Sequence, residues 1–258
     1  MDIFQHFRKE EHPFMTRILS WKEQVERSYQ SILTDFLDPR EQQIIMMLID
    51  ENVSELRLKL SGGGVYSERK RAIIAPSYQE ITEDDFGIEM LQATFHEKFV
   101  TLSHPDVMGS FLSLGLERKK LGDIVVNNGL LQLLLADDIT TYVQANLTTI
   151  KRATIKLETK PVGKLVEKEL NWIEEDKLVS SMRLDTIVKE IYSISRQSAA
   201  ESIAKKLVKV NYRVVEDRTF IVHEKDLLSF RGKGRSRVDQ INGKSKKEKW
   251  KITIGKLK

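Results

Sequence analysis

The residues of this chain best suited to contacting a charged partner are basic, and they crowd its last third. Arg183, Arg196, Lys205, Lys206, Lys209, Arg213, Arg231, Lys233, Arg235 and Arg237 all fall between Met182 and Arg237, with the polar Ser195, Gln197 and Asn211 interspersed among them. Lysine and arginine neutralise phosphates and displace condensed counterions, and arginine can place two parallel donors on one phosphate. Residues 181–258 hold 20 basic against 9 acidic side chains, a net of +11. Of the chain totals, 42 and 38, this leaves 22 basic and 29 acidic in residues 1–180, a net of −7. The whole-chain value of +4 hides this asymmetry, which points to a polyanion-binding tail on a mildly acidic body.

Local elements must position those side chains. Ala199, Ala200, Ile203, Ala204 and Leu207 recur at helical spacing. Ser195 stands where an N-cap hydroxyl would accept from an unpaired backbone N–H. Arg196, Lys205 and Lys206 then lie off the buried stripe. Val208, Val210 and Val214 indicate strands, with Asn211 at a turn that tolerates positive φ. The expected product is a small α+β unit with one cationic face.

The spacing Arg183-Leu184-Asp185, Ser195-Arg196 followed by Ala199 and Ile203, Val208-Lys209-Val210-Asn211, and Asp226 leading to Ser229-Phe230-Arg231-Gly232 resembles the S-four RNA-binding domain over residues 181–235. The resemblance implies that Arg183, Ser195, Arg196, Gln197, Lys205, Lys206 and Lys209 face RNA phosphates, with Asp185 holding Arg183 or capping a helix. Gly232 and Gly234 would let the backbone approach RNA closely.

Upstream, residues 1–50 read as helical. Pro13 suits a first helical position, and Phe14, Ile18, Trp21 and Val25 follow on one face, with Tyr29, Ile32 and Phe36 extending it. Asp38-Pro39 breaks the run and restarts a helix carrying Ile44, Ile45, Met47 and Leu48. This apolar and Met stripe reads as core. Leu56, Leu58 and Leu60 alternate with Glu55, Arg57 and Lys59 as in a half-buried strand. Gly62-Gly63-Gly64 lacks the following Gly-Lys-Ser/Thr of a phosphate loop, so it reads as a hairpin connection. Arg69, Lys70 and Arg71 beyond it are a possible secondary RNA contact.

Ile88–Phe95 and Phe99–Leu102 suggest strands around a turn at His96-Glu97-Lys98. A helix from Ser103-His104-Pro105 through Leu112 follows, then strands Asp123–Val126 and Leu130–Leu135 joined by Asn127-Asn128-Gly129. A helix over Asp137–Leu147 and a strand at Ala153–Leu157 complete a β-α-β-β-α-β order, the ferredoxin-like arrangement of RNA-recognition modules. Those modules stack bases on exposed aromatics. The third strand, Leu130-Leu131-Gln132-Leu133-Leu134-Leu135, offers none, so the fold is expected without the base-stacking surface.

The Gly62-Gly63 loop leading to Glu68-Arg69-Lys70-Arg71, and His104-Pro105-Asp106-Val107-Met108-Gly109 running through Gly115-Leu116-Glu117-Arg118 to Leu121-Gly122-Asp123-Ile124, together with the tail module, resemble the bacterial YlmH family over nearly the full length. The resemblance implies a ribosome-associated RNA-binding protein whose partners are large-subunit rRNA, peptidyl-tRNA or tRNA, and the large ribosomal subunit. It further implies a part in rescuing subunits obstructed by stalled nascent chains.

The expected class is α+β. A helical and hairpin domain occupies 1–80, a ferredoxin-like domain 81–160, an acidic linker 161–180 carrying Glu167, Glu169, Glu174, Glu175 and Asp176, and the S-four-type domain 181–258. The last segment, Gly243-Lys244-Ser245-Lys246-Lys247-Glu248-Lys249 before Trp250–Ile254, reads as a solvated loop open to RNA followed by a short strand. No cysteine is present, which excludes a disulfide frame and cysteine chemistry. The five histidines lack metal-ligand spacing. The pairs Glu117/Asp123 and Asp137/Asp138 have no accompanying nucleophile and read as turn and capping residues.

The His-x-Gly-His of tyrosyl-tRNA synthetases is missing. So are the pseudouridine synthase Asp context beyond the RNA domain and a methyltransferase glycine loop in a doubly wound sheet. The expectation is therefore a binder, not an enzyme, with no cofactor, metal or small-molecule substrate. Without an apolar leader or a span of about 20 apolar residues it is expected to be cytoplasmic and free of membrane contact. Two alternatives stay open: an RNA-modifying enzyme with an unrecognised site in residues 1–160, and a cell-division scaffold.

Overall fold

The computed structural model describes residues 5, 7–49, 55–166 and 171–257. The first four residues, and Glu167 and Glu169 of the expected linker, lie outside them. The chain is mixed α and β and divides into two compact units, Met1–Lys168 and Glu169–Lys258.

The first unit begins with α1 (His12–Ser28), opened by Pro13 and ended by Tyr29 in the left-handed region, φ 56°. Contrary to the expected continuous face, the helix stops there. The chain turns into β1 (Ile32–Leu33), and Tyr29 is exposed. In α2 (Pro39–Leu48) the N-cap Asp38 carboxylate accepts from Arg40 N and Glu41 N, while Glu41 returns to the Asp38 N–H. Ile44, Ile45 and Leu48 are core, but Met47 is not; it faces solvent. β2 (Leu56–Ser61) and β3 (Arg71–Pro76) form the antiparallel hairpin expected around the glycines, with β1 on the far edge of β3. Gly62 is required there, since a Cβ would lie 2.4 Å from Ser67 Cβ and 2.5 Å from the Arg69 carbonyl oxygen.

The same unit continues through β4 (Ile88–Thr94), α3 (His104–Leu112), β5 (Leu121–Asn127), β6 (Leu130–Ala136) and α4 (Asp137–Asn146). A small ladder of β7 (Thr149–Ile150) and β8 (Ala153–Thr154) precedes β9 (Glu158–Lys160). The sheet order β5-β6-β4-β9, all antiparallel, is the ferredoxin-like arrangement. Two expected strands differ. Phe99–Leu102 is loop. The closing strand is β9 rather than Ala153–Leu157, because Ala153 and Thr154 pair locally while Ile155 and Leu157 pack into the core. Helices α3 and α4 bury Val107, Phe111 and Val143 against Leu91, Leu131, Leu133 and Leu135 on one sheet face.

In the second unit β10 (Trp172–Val179) leads to α5 (Leu184–Tyr192) and α6 (Arg196–Ala204). The strands β11 (Val208–Val210), β12 (Arg213–Val214), β13 (Leu227–Phe230), β14 (Gly234–Lys244) and β15 (Trp250–Leu257) follow. Their order is β10-β15-β14-β13-β11-β12. The acidic stretch expected as a linker is thus largely an edge strand, paired with β15 from Trp172↔Leu257 to Val179↔Trp250. Charge on an edge strand is stable because one side of the ladder meets water, and it discourages pairing with other chains. The helices cover one face of this sheet, where Ile187, Val188, Ile191, Ala199 and Ile203 meet Leu228, Val238, Ile252 and Ile254. Among the described residues no helix is long and apolar enough to cross a membrane.

Candidate nucleic-acid interface

The expected cationic side chains fall into three groups around α6 and the sheet behind it. At the N-terminus of α6 the Ser195 hydroxyl accepts from Ser198 N at 3.0 Å, the anticipated cap. Asp185, on α5, is buried. It accepts from Arg183 Nε and Nη2 at 3.1 and 3.0 Å and from Arg196 Nε at 3.1 Å. Burial pushes its carboxyl up, but the two guanidinium groups outweigh that and hold it below the usual carboxylate range. Arg196 nevertheless keeps 60% of its side chain open to solvent. Gln197 is exposed and bonded to Glu201. Arg218, not singled out by the sequence, joins this group because its carbonyl accepts from Asp185 N at 3.1 Å and its side chain is exposed. Only the fold brings that loop to α5.

At the other end of α6, about 13 Å away at ~1.5 Å per residue, the helix closes with Lys206 N donating to Ile203 O and Leu207 N to Ser202 O. This is a Schellman closure, normally completed by glycine, yet Lys206 occupies the left-handed position with φ 60°. Arg231 N donates to Leu207 O at 2.9 Å, which brings the Arg231-Gly232-Lys233 turn beside Lys205 and Lys206. All four cations are exposed, and Lys206 pairs with Glu216 at 3.0 Å on the surface. Such a pair adds little to stability and exchanges readily for a phosphate.

The third group lies on the sheet face away from the helices. Lys209 pairs in register with Ser229, and Ser229 with Arg235, so these side chains share that face. Arg237 lies on it too but is committed, over the Trp172 ring at 4.5 Å and against Asp239 at 2.6 Å. Arg213 is exposed on the edge strand β12. At the far end of β14 the tip carries exposed Lys246, Lys247 and Lys249, as a loop open to RNA would.

Three expected contacts are corrected. Asn211 is 9% exposed, and its amide donates to Asp226 Oδ1 at 2.7 Å while its oxygen accepts from Leu227 N at 2.9 Å. It holds a turn at φ 48°. Arg69 is 8% exposed with Nη2 donating to Phe36 O. Arg71 is equally buried and donates to Thr34 O and Gly87 O. These arginines tie the hairpin to distant carbonyls and present no face to RNA; Lys70 between them is half-buried. Asp123, one of the acidic pair members, accepts from Glu68 N and Arg69 N, a structural role.

The ferredoxin-like sheet has its outer face closed. Met90 and Leu134 are fully buried there. Gln132 donates to Gln92 and Lys164 O and accepts from Val166 N. Phe36 packs within van der Waals reach of Gly122, where a Cβ would lie 2.7 Å from its ring. The surface that stacks bases in RNA-recognition modules is therefore inside the unit, which accounts for the leucine-rich third strand.

Residues 10–79 match the family description "YlmH, N-terminal", residues 82–164 "Putative RNA-binding domain in YlmH", and residues 182–228 "S4 domain". The chain is 40% identical over 257 residues to the "Ribosome-associated protein quality control protein P2" of Bacillus subtilis (strain 168), covering 100% of this chain and 99% of that one. A solved structure, "Cell division protein ylmH from Streptococcus pneumoniae", is 31% identical with a TM-score of 0.55, covering 64% of this chain and 99% of its own. With three family segments in order and a relative matched end to end, the chain belongs to the YlmH family.

Proposed function

We propose that this protein is a non-enzymatic, ribosome-associated RNA-binding protein. In this reading it engages large-subunit rRNA and tRNA, including peptidyl-tRNA, through its C-terminal unit and serves rescue of stalled translation. The observation that carries it is the pair of cationic groups at the two ends of α6, held by Asp185 and by the Arg231–Leu207 bond. Asp185 and α6 lie in the segment that matches the S4 domain, residues 182–228, and Arg231 lies just beyond it. The name of the Bacillus relative supports the ribosomal setting. Affinity would come from phosphate neutralisation, and selectivity from the shape of folded RNA and its 2′-hydroxyls. The test is co-sedimentation with large ribosomal subunits at moderate salt. Arg196→Ala with Lys206→Ala abolishes it while the fold stays intact; binding unchanged by the pair overturns the reading.

Residues 1–168 contain a cleft of about 450 Å³ lined by Gly63, Glu83, Asp84, Gly87, Glu89 and Asp137 among others. Its carboxylates repel a phosphate backbone, which argues against an RNA-modifying site there. A cell-division role is a second reading, favoured by the name of the pneumococcal relative. It predicts protein partners that persist after nuclease treatment.

A further inference from the structure

With its outer sheet face buried, the central domain can meet RNA only elsewhere on its surface. Phe99 is 85% exposed, the most open aromatic ring among the described residues. It stands in the loop after β4, edge-on to the exposed His96 ring at 6.3 Å and 85°. A phenylalanine held in water contributes nothing to the unit's own packing, and its loop is nevertheless well tied. Phe95 N donates to Gly129 O at 2.7 Å, Gly129 N to Glu97 Oε1 at 2.8 Å, and Phe99 N to His96 O at 3.1 Å. Lys151 Nζ donates to Thr101 O at 3.2 Å and pairs with Asp106 at 2.7 Å.

These bonds gather three turns at one end of the domain: 96–100, 127–129 and 151–152. Lys98, Asn128 and Arg152 are all exposed on them. An open aromatic face, two flanking cations and a carboxamide form the set that takes an unstacked base and its neighbouring phosphates. Asp106 is paired with Lys151 and Glu97 is turned toward Gly129 N, so three cations, Lys98, Lys151 and Arg152, stand against two carboxylates and the cluster keeps one net positive charge.

We propose that this loop cluster is an RNA site of the central domain, with Phe99 stacking on an unpaired base and Lys98 and Arg152 on the adjacent phosphates. It rests on the reading of the chain as RNA-binding, but it involves a different unit from the α6 surface. The test uses the full chain and two RNA probes of equal length: a stem closed by a single-stranded loop, and a fully paired duplex.

Phe99→Ala should weaken binding to the looped probe on the order of tenfold, with little effect on the duplex. Phe99→Trp should restore it, and the melting temperature should not move. Equal binding of Phe99→Ala and wild type to the looped probe overturns the proposal, as does a wild-type chain that ignores that probe. Lost ribosome co-sedimentation in Phe99→Ala without any loss on the looped probe overturns it in favour of a protein partner. Arg196→Ala serves as the separating control: if it weakens both probes while Phe99→Ala weakens neither, the loop site fails and the C-terminal reading stands.

Discussion

Asp185 Oδ2 accepts from Arg183 Nη2 at 3.0 Å and from Arg196 Nε at 3.1 Å, so one buried carboxylate ties the start of α5 to the start of α6. The arrangement fixes the direction of Arg196 and leaves the three side chains Arg183, Asp185 and Arg196 with one positive charge in excess. Rigid placement lowers the entropy lost when a guanidinium meets a phosphate.

Asp185→Asn should therefore destabilise the C-terminal unit by about 1–3 kcal/mol, because two guanidinium groups lose their charged acceptor. The sign of the pH effect follows from the lowered folded-state pKa. The Asp185 contribution is fully present above the unfolded value of about 3.9 and is lost as the pH falls through the lower folded value. Denaturant unfolding followed from neutral pH to below pH 3 should show this loss in the wild type and a flatter curve in the variant. Parallel curves would show that the carboxylate does not hold the two helix starts together.

Lys206→Gly separates binding from stability. Glycine adopts the left-handed closing position without strain, so the helix end should gain up to about 1 kcal/mol. RNA affinity should fall because an exposed cation is lost, and the salt slope of binding should become shallower by about one unit. An isotherm measured at several salt concentrations, beside a melting curve, reads both effects. Lower affinity accompanied by a lower melting temperature would contradict the assignment of Lys206 to the interface.

Asn211→Ala should behave oppositely. Removal of its side chain deletes the bonds to Asp226 Oδ1 and from the Leu227 N–H and forces alanine into a positive-φ turn, a cost of about 2 kcal/mol or more. Under strongly native conditions its RNA affinity should match wild type. A selective loss of RNA binding with unchanged unfolding would restore Asn211 to the contact surface.

Gly122→Ala places a methyl 2.7 Å from Phe36 Cε1 and 2.9 Å from Cζ. The ring is fully enclosed and cannot step aside, so the first unit should lose about 1–3 kcal/mol. The smaller ring-free side chain in Phe36→Leu should relieve part of that loss in the double variant. A thermodynamic cycle of the two changes would measure the coupling, and simple additivity would count against the packing described.

Apart from the loop at 99–102 and the closing strand β9 of the central domain, short-range pattern alone determined the cap at Ser195, the turn at Asn211, the glycine hairpin and the run β4, α3, β5, β6 and α4. Each depends on periodicity or turn chemistry within a few residues, so neighbours in sequence are sufficient to specify it. The same pattern named thirteen polar or basic positions in the C-terminal unit without separating those that face solvent from those already engaged. Asn211 and Arg237 are committed to partners within the domain, as are Arg69 and Arg71 upstream, and the carbonyls of Phe36, Thr34 and Gly87 that bury those two arginines lie far along the chain. The edge strand at Trp172–Val179 was hidden for a similar reason: its acidic composition resembles a linker until β15 pairs with it. Only tertiary structure decides which charge stays free, because a buried guanidinium is stable solely where distant backbone oxygens converge on it.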